Sequence, residues 1–595
     1  MDRKLYKFDS FCLDPKQRKL LSDNTVVQLS SRAFEMLLLL VQKQGEVVEK
    51  SEILEKVWSD SFVEESNLVV HISALRRVLG ETRGERKFIE TVSGRGYSFV
   101  FPIEEVKSKQ KLAAETKINK PNSSVDKKAA PDNSDSLAVL PLVNRSGNAD
   151  FEYLADGITQ SLIANLSQIP SLKVMSYNAV EPYKNSVQDY SEIGFLLGVE
   201  NILLGSITEF KNYFEISVEL INAQNKQLIW GTHYNCEFTD IFKVRQEISL
   251  VIAEKLQIRL NNLDKSNLAR QQTSDSEAYK SYMKGMYLLG SNSTSKFREE
   301  SLHSALKSFR QALKKDPNYA LAYTGIGYAY YRLLNINAVS RNKAYQECKN
   351  ALQLALNFDA ELSEALILDG IIKHFFERNP HEAQKSFDRA IESNSNNPIA
   401  FHYKSLLLCC FEKHRESLFY QNKAIQLDPI SIFLHNGLSR RFFLGGDYNK
   451  AIIQAEETLE LDNELVAPYF ILALSYAQLG LFDEALKNIE GTLRIQPTEE
   501  MFLAQSYIYA LSGATEKANE ILQAVLSKSS KEQIDFTDAA IVYAALGEND
   551  KAFEYLDKAF KKGDTNILLL RTDPRFEHLH NDSRFNTLLR KLNLK

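Results

Sequence analysis

The chain has 595 residues, of which 44% are hydrophobic and 25% charged, and its formal net charge is −5. So long a chain of ordinary soluble composition implies roughly three or four domains, each with its own core. The slight negative balance excludes unspecific coating of nucleic acid or anionic membrane, so any nucleic-acid binding has to come from a localised patch.

The opening MDRKLYKFDS carries no apolar leader, and apolar runs such as Met36 to Val41 fall far short of the ~18 residues of a spanning helix. No membrane partner is expected, and the cytoplasm is the expected location. The five cysteines (Cys12, Cys236, Cys348, Cys409, Cys410) have no paired spacing and read as free thiols in a reducing compartment. Short strands are predicted at 6–8, 11–13, 20–21 and 26–28. A helix then runs from near Ser30 to Gly45, and a second, EKSEILEKVW, ends on Val57-Trp58. A third, from about Glu64 to Leu79, sets Leu68, Ile72, Leu75 and Leu79 in one apolar stripe. Its other side presents Asn67, His71, Arg76 and Arg77, all able to hydrogen-bond a base edge or a phosphate. Gly80 can close this helix with a left-handed turn. A hairpin follows, Phe88 to Val92 and Tyr97 to Phe101, whose tip Ser93-Gly94-Arg95-Gly96 carries a single cation.

In this order and at these spacings, residues 1–103 resemble the winged-helix DNA-binding domain of the OmpR/PhoB type, the kind also found in CadC-like regulators. The resemblance implies an α+β fold whose third helix lies in the major groove and whose wing reaches the adjoining minor groove. It implies Asn67 and His71 on bases or nearby phosphates and Arg76 and Arg77 on or near phosphates. Arg95 would sit in or beside the minor groove, with Lys50 and the Trp58 indole N–H on the backbone. Ser66 and Ser73 complete the expected DNA-binding set. Ser73 and Ala74 stand where well-studied members carry arginines, and Ser93 replaces a wing arginine, so no target sequence can be carried over. The plainer alternative leaves Arg76 and Arg77 as solvated helix charges and His71 as a packed surface histidine. From Arg76 to Arg95, however, Arg76, Arg77, Arg83, Arg86, Lys87 and Arg95 outnumber Glu81, Glu85 and Glu90. Such a small local field gives few phosphate contacts per domain, and paired or tandem half-sites are expected.

Residues 104–135 hold almost no large apolar side chains and read as a flexible tether, with a basic nucleic-acid-binding tail as the alternative. From Ser136 to about Leu260 the pattern is mixed. LAVLPL and LKVMSY suit buried strands, 151–166 and YSEIGFLLG suit helices, and VENILLGSI, YFEISVELINA and KQLIWGTHY suit consecutive strands before a helix at about 241–260. The wording LAVLPLVNRSGNADFEYLADGITQSLIANLS…LGVENILLGSITE resembles the TolB N-terminal-like domain, which implies an α/β fold over 136–262. No phosphate-binding glycine loop follows a strand there, and Asp156-Gly157 suits a helix-start turn.

From 276 to 562 the sequence repeats. Ala305, Ala344, Ala383, Ser417, Ala451, Ala485, Ala518 and Ala552 recur 33 to 39 residues apart. Seven residues after each comes Ala312, Ala351, Ala390, Ala424, Thr458, Thr492, Val525 or Ala559, so each pair marks one helical face that a neighbouring helix can approach closely. About eight copies resemble the tetratricopeptide repeat, with Tyr323, Tyr403, Tyr469 and Tyr543 supplying bulk where the repeat's tryptophan is missing. The resemblance implies an all-α solenoid whose groove holds a peptide or a partner helix, or else a spacer or dimerisation arm. Gly325-Ile-Gly327 falls inside a repeat helix, where small residues serve packing. Residues 563–595 suit a terminal cap.

No histidine pair has metal-ligand spacing, and no nucleophile elbow, zinc-protease or kinase signature is present, so neither catalytic residues nor a cofactor or metal is expected. The chain reads as a one-component regulator: a winged helix for double-stranded promoter DNA, with an α/β domain and a repeat array for a signal, a protein partner or a second copy of the chain. The alternative is a protein-interaction scaffold whose winged helix binds protein.

Overall fold

The computed structural model describes residues 3–23, 25–58, 65–84, 86–92, 94–108, 135–147, 152–184, 186, 188–210, 213–237, 240–261, 264–265, 268, 273–290, 295–462, 465–528 and 534–595. They form two compact units. The first comprises 1–137 with 187–202 and 221–227, and the second comprises 138–186, 203–220 and 228–595.

The first unit opens with strands β1 (Arg3–Phe8), β2 (Phe11–Asp14), β3 (Lys19–Ser22) and β4 (Thr25–Val27). They pair antiparallel in the order β4-β3-β2-β1, and β1's free edge takes a further strand, β8 (Glu104–Ser108). The expected tether therefore begins with five residues of strand. Pairing along an edge is made by backbone N–H and C=O groups, so it needs none of the apolar side chains whose lack suggested a loop. Lys4 and Glu105 add an ion pair across it at 2.6 Å. The rest of that stretch, 109–134, lies outside the described residues.

Helices α1 (Ser31–Gln42), α2 (Lys50–Val57) and α3 (Glu65–Val78) follow, with β5 (Val48–Glu49) before α2. The Ser30 hydroxyl caps α1 by accepting from the Ala33 N–H. The stripe Leu68, Ile72, Leu75, Leu79 joins Leu37, Leu40, Trp58, Phe8, Phe88 and Phe99 in a single core. Gly80, with φ +75°, ends α3 as expected. The wing, β6 (Ile89–Val92) and β7 (Gly96–Phe99), pairs antiparallel and is completed by β5 in the order β5-β7-β6. Any side chain at position 96 would collide with the Val48 carbonyl, so only glycine lets β7 cross β5 at this distance.

The mixed central stretch forms a six-stranded sheet. Its order is β11 (Lys173–Val174), β9 (Ser136–Val139), β12 (Asn201–Phe210), β13 (Tyr213–Asn222), β14 (Leu228–Glu237), with β10 (Val143–Asn144) parallel to β12. Helices α4 (Glu152–Leu166), α5 (Tyr177–Val180), α6 (Tyr190–Leu197) and α7 (Ile241–Lys255) accompany it. The strand expected over LKVMSY is only two residues long, because Ser176 caps α5 immediately after it.

Among the described residues, the second unit continues with eight helical hairpins, from Ser276–Gly290 with Ser295–Lys315 to Phe536–Ala545 with Asn549–Lys562. Each first small residue named above, from Ala305 to Ala552, is fully buried on the second helix of its hairpin. A methyl group on Gly325 or Gly327 would overlap Phe309 or Leu368, so both glycines serve packing. The third hairpin's Arg378 donates to the Phe560 carbonyl of the eighth at 2.6 Å, which shows how far the array bends. Residues 563–595 do more than shield the last hairpin. Arg571 reaches Glu412 at 2.7 Å, Thr572 the Leu444 carbonyl at 3.5 Å, and Asn593 the Arg378 carbonyl at 3.0 Å. A segment touching the third, fourth, fifth and eighth hairpins together lies on the inner side of the bend. Among the described residues no helix is long and apolar enough to cross a membrane.

Candidate nucleic-acid interface

The positions expected to meet DNA separate into three groups. The first remains open. Ser73 and Arg95 are exposed, and Val70, on the same side of α3 as Ser73, is half-buried. Arg95 sits at the wing tip, and its carbonyl accepts from the Lys50 N–H at 3.1 Å, which ties the wing to the start of α2. The Lys50 ammonium lies 3.1 Å from Glu65. The side chain of Ser66 and all of Ser93 lie outside the described residues.

The second group is internal. Arg76 was expected on or near a phosphate, and the structure buries it instead. Its guanidinium donates to the Ile89 carbonyl at 3.0 Å and to the Thr91 hydroxyl at 2.9 Å, and it pairs with Glu81 at 3.5 Å. Glu81 accepts in turn from the Phe88 and Ile89 N–H groups at 2.5 and 2.9 Å. Burial pushes the Glu81 carboxyl up from its ordinary value, and those N–H groups and Arg76 pull the other way. Arg76 thus locks the end of α3 to the wing. It is a positioning residue, because the turn after Gly80 brings β6 back under it. Trp58 is also buried, and its Nε1 has no hydrogen-bond partner among the described residues.

The third group is engaged by the chain itself, with His71 buried, Asn67 half-buried and Arg77 still exposed. His71 is fully buried. Its Nδ1 lies 2.7 Å from the Asn67 carbonyl and its Nε2 lies 2.6 Å from a Glu192 carboxylate oxygen. A carbonyl only accepts, so Nδ1 carries a hydrogen and the imidazole ring is clamped between α3 and α6. The other Glu192 oxygen takes Arg32 at 3.1 Å, and the Arg32 guanidinium lies over the Trp58 ring. The Asn67 side chain accepts from Gln188 at 3.1 Å. Arg77 donates to the Phe195 carbonyl and, at 3.1 Å, to that of Leu196, the last turn of α6. The local reasons for α6 are plain. Asp189 caps it by accepting from the Ser191 N–H at 3.0 Å, Ile193, Leu196 and Leu197 are its buried side, and Gly198 ends it with φ +68°.

Arg32 and Glu192 were not expected at this site. Arg32 carried a weak signal as a cation in the first turn of α1, but Glu192 is 121 residues from His71 in sequence, and nothing local links them. Among the described residues no three His, Cys, Asp or Glu side chains are placed to share a metal ion.

Residues 24–99 match the family described as the C-terminal domain of transcriptional regulatory proteins, and residues 297–333 match the TPR repeat. Transcriptional regulator HilA of Salmonella typhimurium is 22% identical over 93% of this chain and 87% of its own length. A putative adenylate cyclase 3 of Rhizobium meliloti is 28% identical over 32% of each chain, so this chain spans only about a third of that relative. Response regulator SaeR of Staphylococcus epidermidis is 37% identical over 16% of this chain and 41% of its own. The chain carries an OmpR/PhoB-type winged-helix DNA-binding domain joined to tetratricopeptide repeats.

Proposed function

We propose that this protein is a sequence-specific transcription regulator acting in the cytoplasm on double-stranded promoter DNA, without enzymatic activity of its own. The observation that carries the reading is the open strip of α3 at Val70 and Ser73 beside the exposed wing cation Arg95, within a domain of the transcriptional regulatory type. Similarity to HilA over most of both chains supports the regulator reading for the whole molecule. Residues 136–262 are read as a TolB N-terminal-like domain with a sensory or packing role, which fits a mixed sheet flanked by helices. The repeat array is read as the module for a protein partner or a second copy, which would bring two winged helices onto tandem half-sites and raise apparent affinity through effective concentration.

Genome-wide mapping of DNA bound by the full chain tests this directly. Discrete enriched sites are expected, and Arg95→Ala should weaken binding to purified fragments from those sites by about 1 kcal/mol or more. Absence of enriched sites, with protein partners recovered through the winged helix, would favour the scaffold reading.

A further inference from the structure

The geometry points to a resident cover on the reading head: we propose that α6 holds the phosphate-facing side of α3 closed, and that DNA and α6 compete for the same side chains. The inference rests on the DNA-binding reading above and adds how that site is regulated.

Three of the positions that would face DNA, Asn67, His71 and Arg77, are engaged by the short segment from Gln188 to Leu196. They follow one another along one side of α3, where His71 and Ala74 are buried, Asn67 is half-buried and Arg77 is exposed. What the segment offers is the chemistry of a phosphate backbone. Glu192 supplies a carboxylate to His71 and Arg32 together. The C-terminal turn of α6 supplies carbonyl oxygens to Arg77, at the end of a helix where partial negative charge collects. A methyl group at Gly198 would lie 3.1–3.3 Å from the Arg77 guanidinium, so the end of α6 rests directly on it. Anionic and carbonyl oxygens thus stand where phosphate oxygens would, and the duplex cannot occupy the same place.

A second observation is independent of these ion pairs. Trp58 stacks edge-on against His71 with ring centroids 4.9 Å apart, and its buried indole N–H has no acceptor among the described residues. Among the described residues that N–H is unmatched, and it stands ready to donate to a phosphate oxygen once α6 leaves. The closed state is held by charge, which is the character of a reversible contact. The open strip at Val70, Ser73 and Arg95 leaves room for a first encounter while the cover is on.

If the cover is on in most molecules, apparent affinity for DNA falls by the fraction that is open. The test uses the full chain and a fluorescent random-sequence duplex of about three helical turns at low ionic strength, where phosphate contacts dominate binding. Glu192→Lys places a cation against Arg32 and His71 and should open the contact. Glu192→Gln keeps the shape and weakens only the charge. The expected result is tighter binding in both variants, on the order of tenfold for Glu192→Lys and less for Glu192→Gln. Amide exchange of residues 67–78 should rise in parallel, and adding Arg95→Ala should reduce the gain. Equal binding by wild type and both variants, with unchanged exchange, overturns the cover and leaves the DNA reading standing. If exchange rises in the variants yet none of the chains binds the duplex, the DNA reading itself fails and the competition with it.

Discussion

Two faces of this chain were expected to hold something from outside, the docking side of α3 and the inner side of the repeat array, and each is covered by a segment of the chain. The two covers differ in kind. On α3 the contact is made by a carboxylate, backbone carbonyls and an amide, and among the described residues the Trp58 N–H has no partner. Inside the array, the tail buries Ile567, Leu570, Phe576, Leu579, Leu592 and Leu594 into the same core as the hairpins. Its polar centre is only partly satisfied, since the buried Asp538 Oδ2 has no hydrogen-bond partner among the described residues. Arg575 grips Asp573 at 2.7 Å and lies 3.7 Å from Asp538 on the eighth hairpin. Apolar burial scales with area and has no ready substitute in water, whereas a duplex can replace a carboxylate and two carbonyls group for group. The tail is therefore architecture, and α6 is the better candidate for a switch.

The strongest test of that contrast is to remove one tail anchor. Phe576→Ala should destabilise the second unit by about 3–5 kcal/mol, read as a shifted urea midpoint. A near-neutral result would make the tail a removable cover like α6 and erase the difference. Next in size is Arg76→Ala, which strands the buried Glu81 and should lower winged-helix stability by about 3 kcal/mol. Loss of DNA affinity without loss of stability would instead return Arg76 to the phosphate-contacting set.

A pH experiment isolates the second unit. Burial pushes the Asp428 carboxyl up to about 6, against hydrogen bonds from Ser176 and Asn178. Below the ordinary carboxylate range the group is protonated in both the folded and the unfolded chain. As pH rises, the unfolded chain ionises first, so stability falls until the pH passes the folded value and is level above it. Asp428→Asn should flatten that decline between about pH 4 and 6 and gain about 1–3 kcal/mol at neutral pH, measured by denaturant unfolding across the range. Unchanged pH dependence would show that this carboxyl is solvated. The smallest effect belongs to Arg95→Ala, which leaves the fold intact and should reduce the salt slope of DNA binding by about one, in line with a single exposed cation.

Much of this was legible because the signals are local. The stripe Leu68, Ile72, Leu75, Leu79 fixed both the existence of α3 and which side faces the core, since helical period alone decides that. The small residues from Ala305 to Ala552 marked the hairpins, because close helix packing demands a small side chain at each crossing wherever it falls. Strand β8 was missed for the converse reason: an edge pairing made by the backbone leaves no mark in side-chain pattern.

What the sequence determined by itself was the winged helix, the helical repeats and the polar residues that α3 carries away from its apolar stripe. What only the tertiary structure decided was the state of those residues. Arg76 and Arg77 are neighbours with the same side chain, yet one is enclosed by Ile89, Thr91 and Glu81 and the other lies against the end of α6. Period and composition say which side of a helix is polar. Only the distant segments that fold against it, Glu192 above all, say what that polar side is already holding.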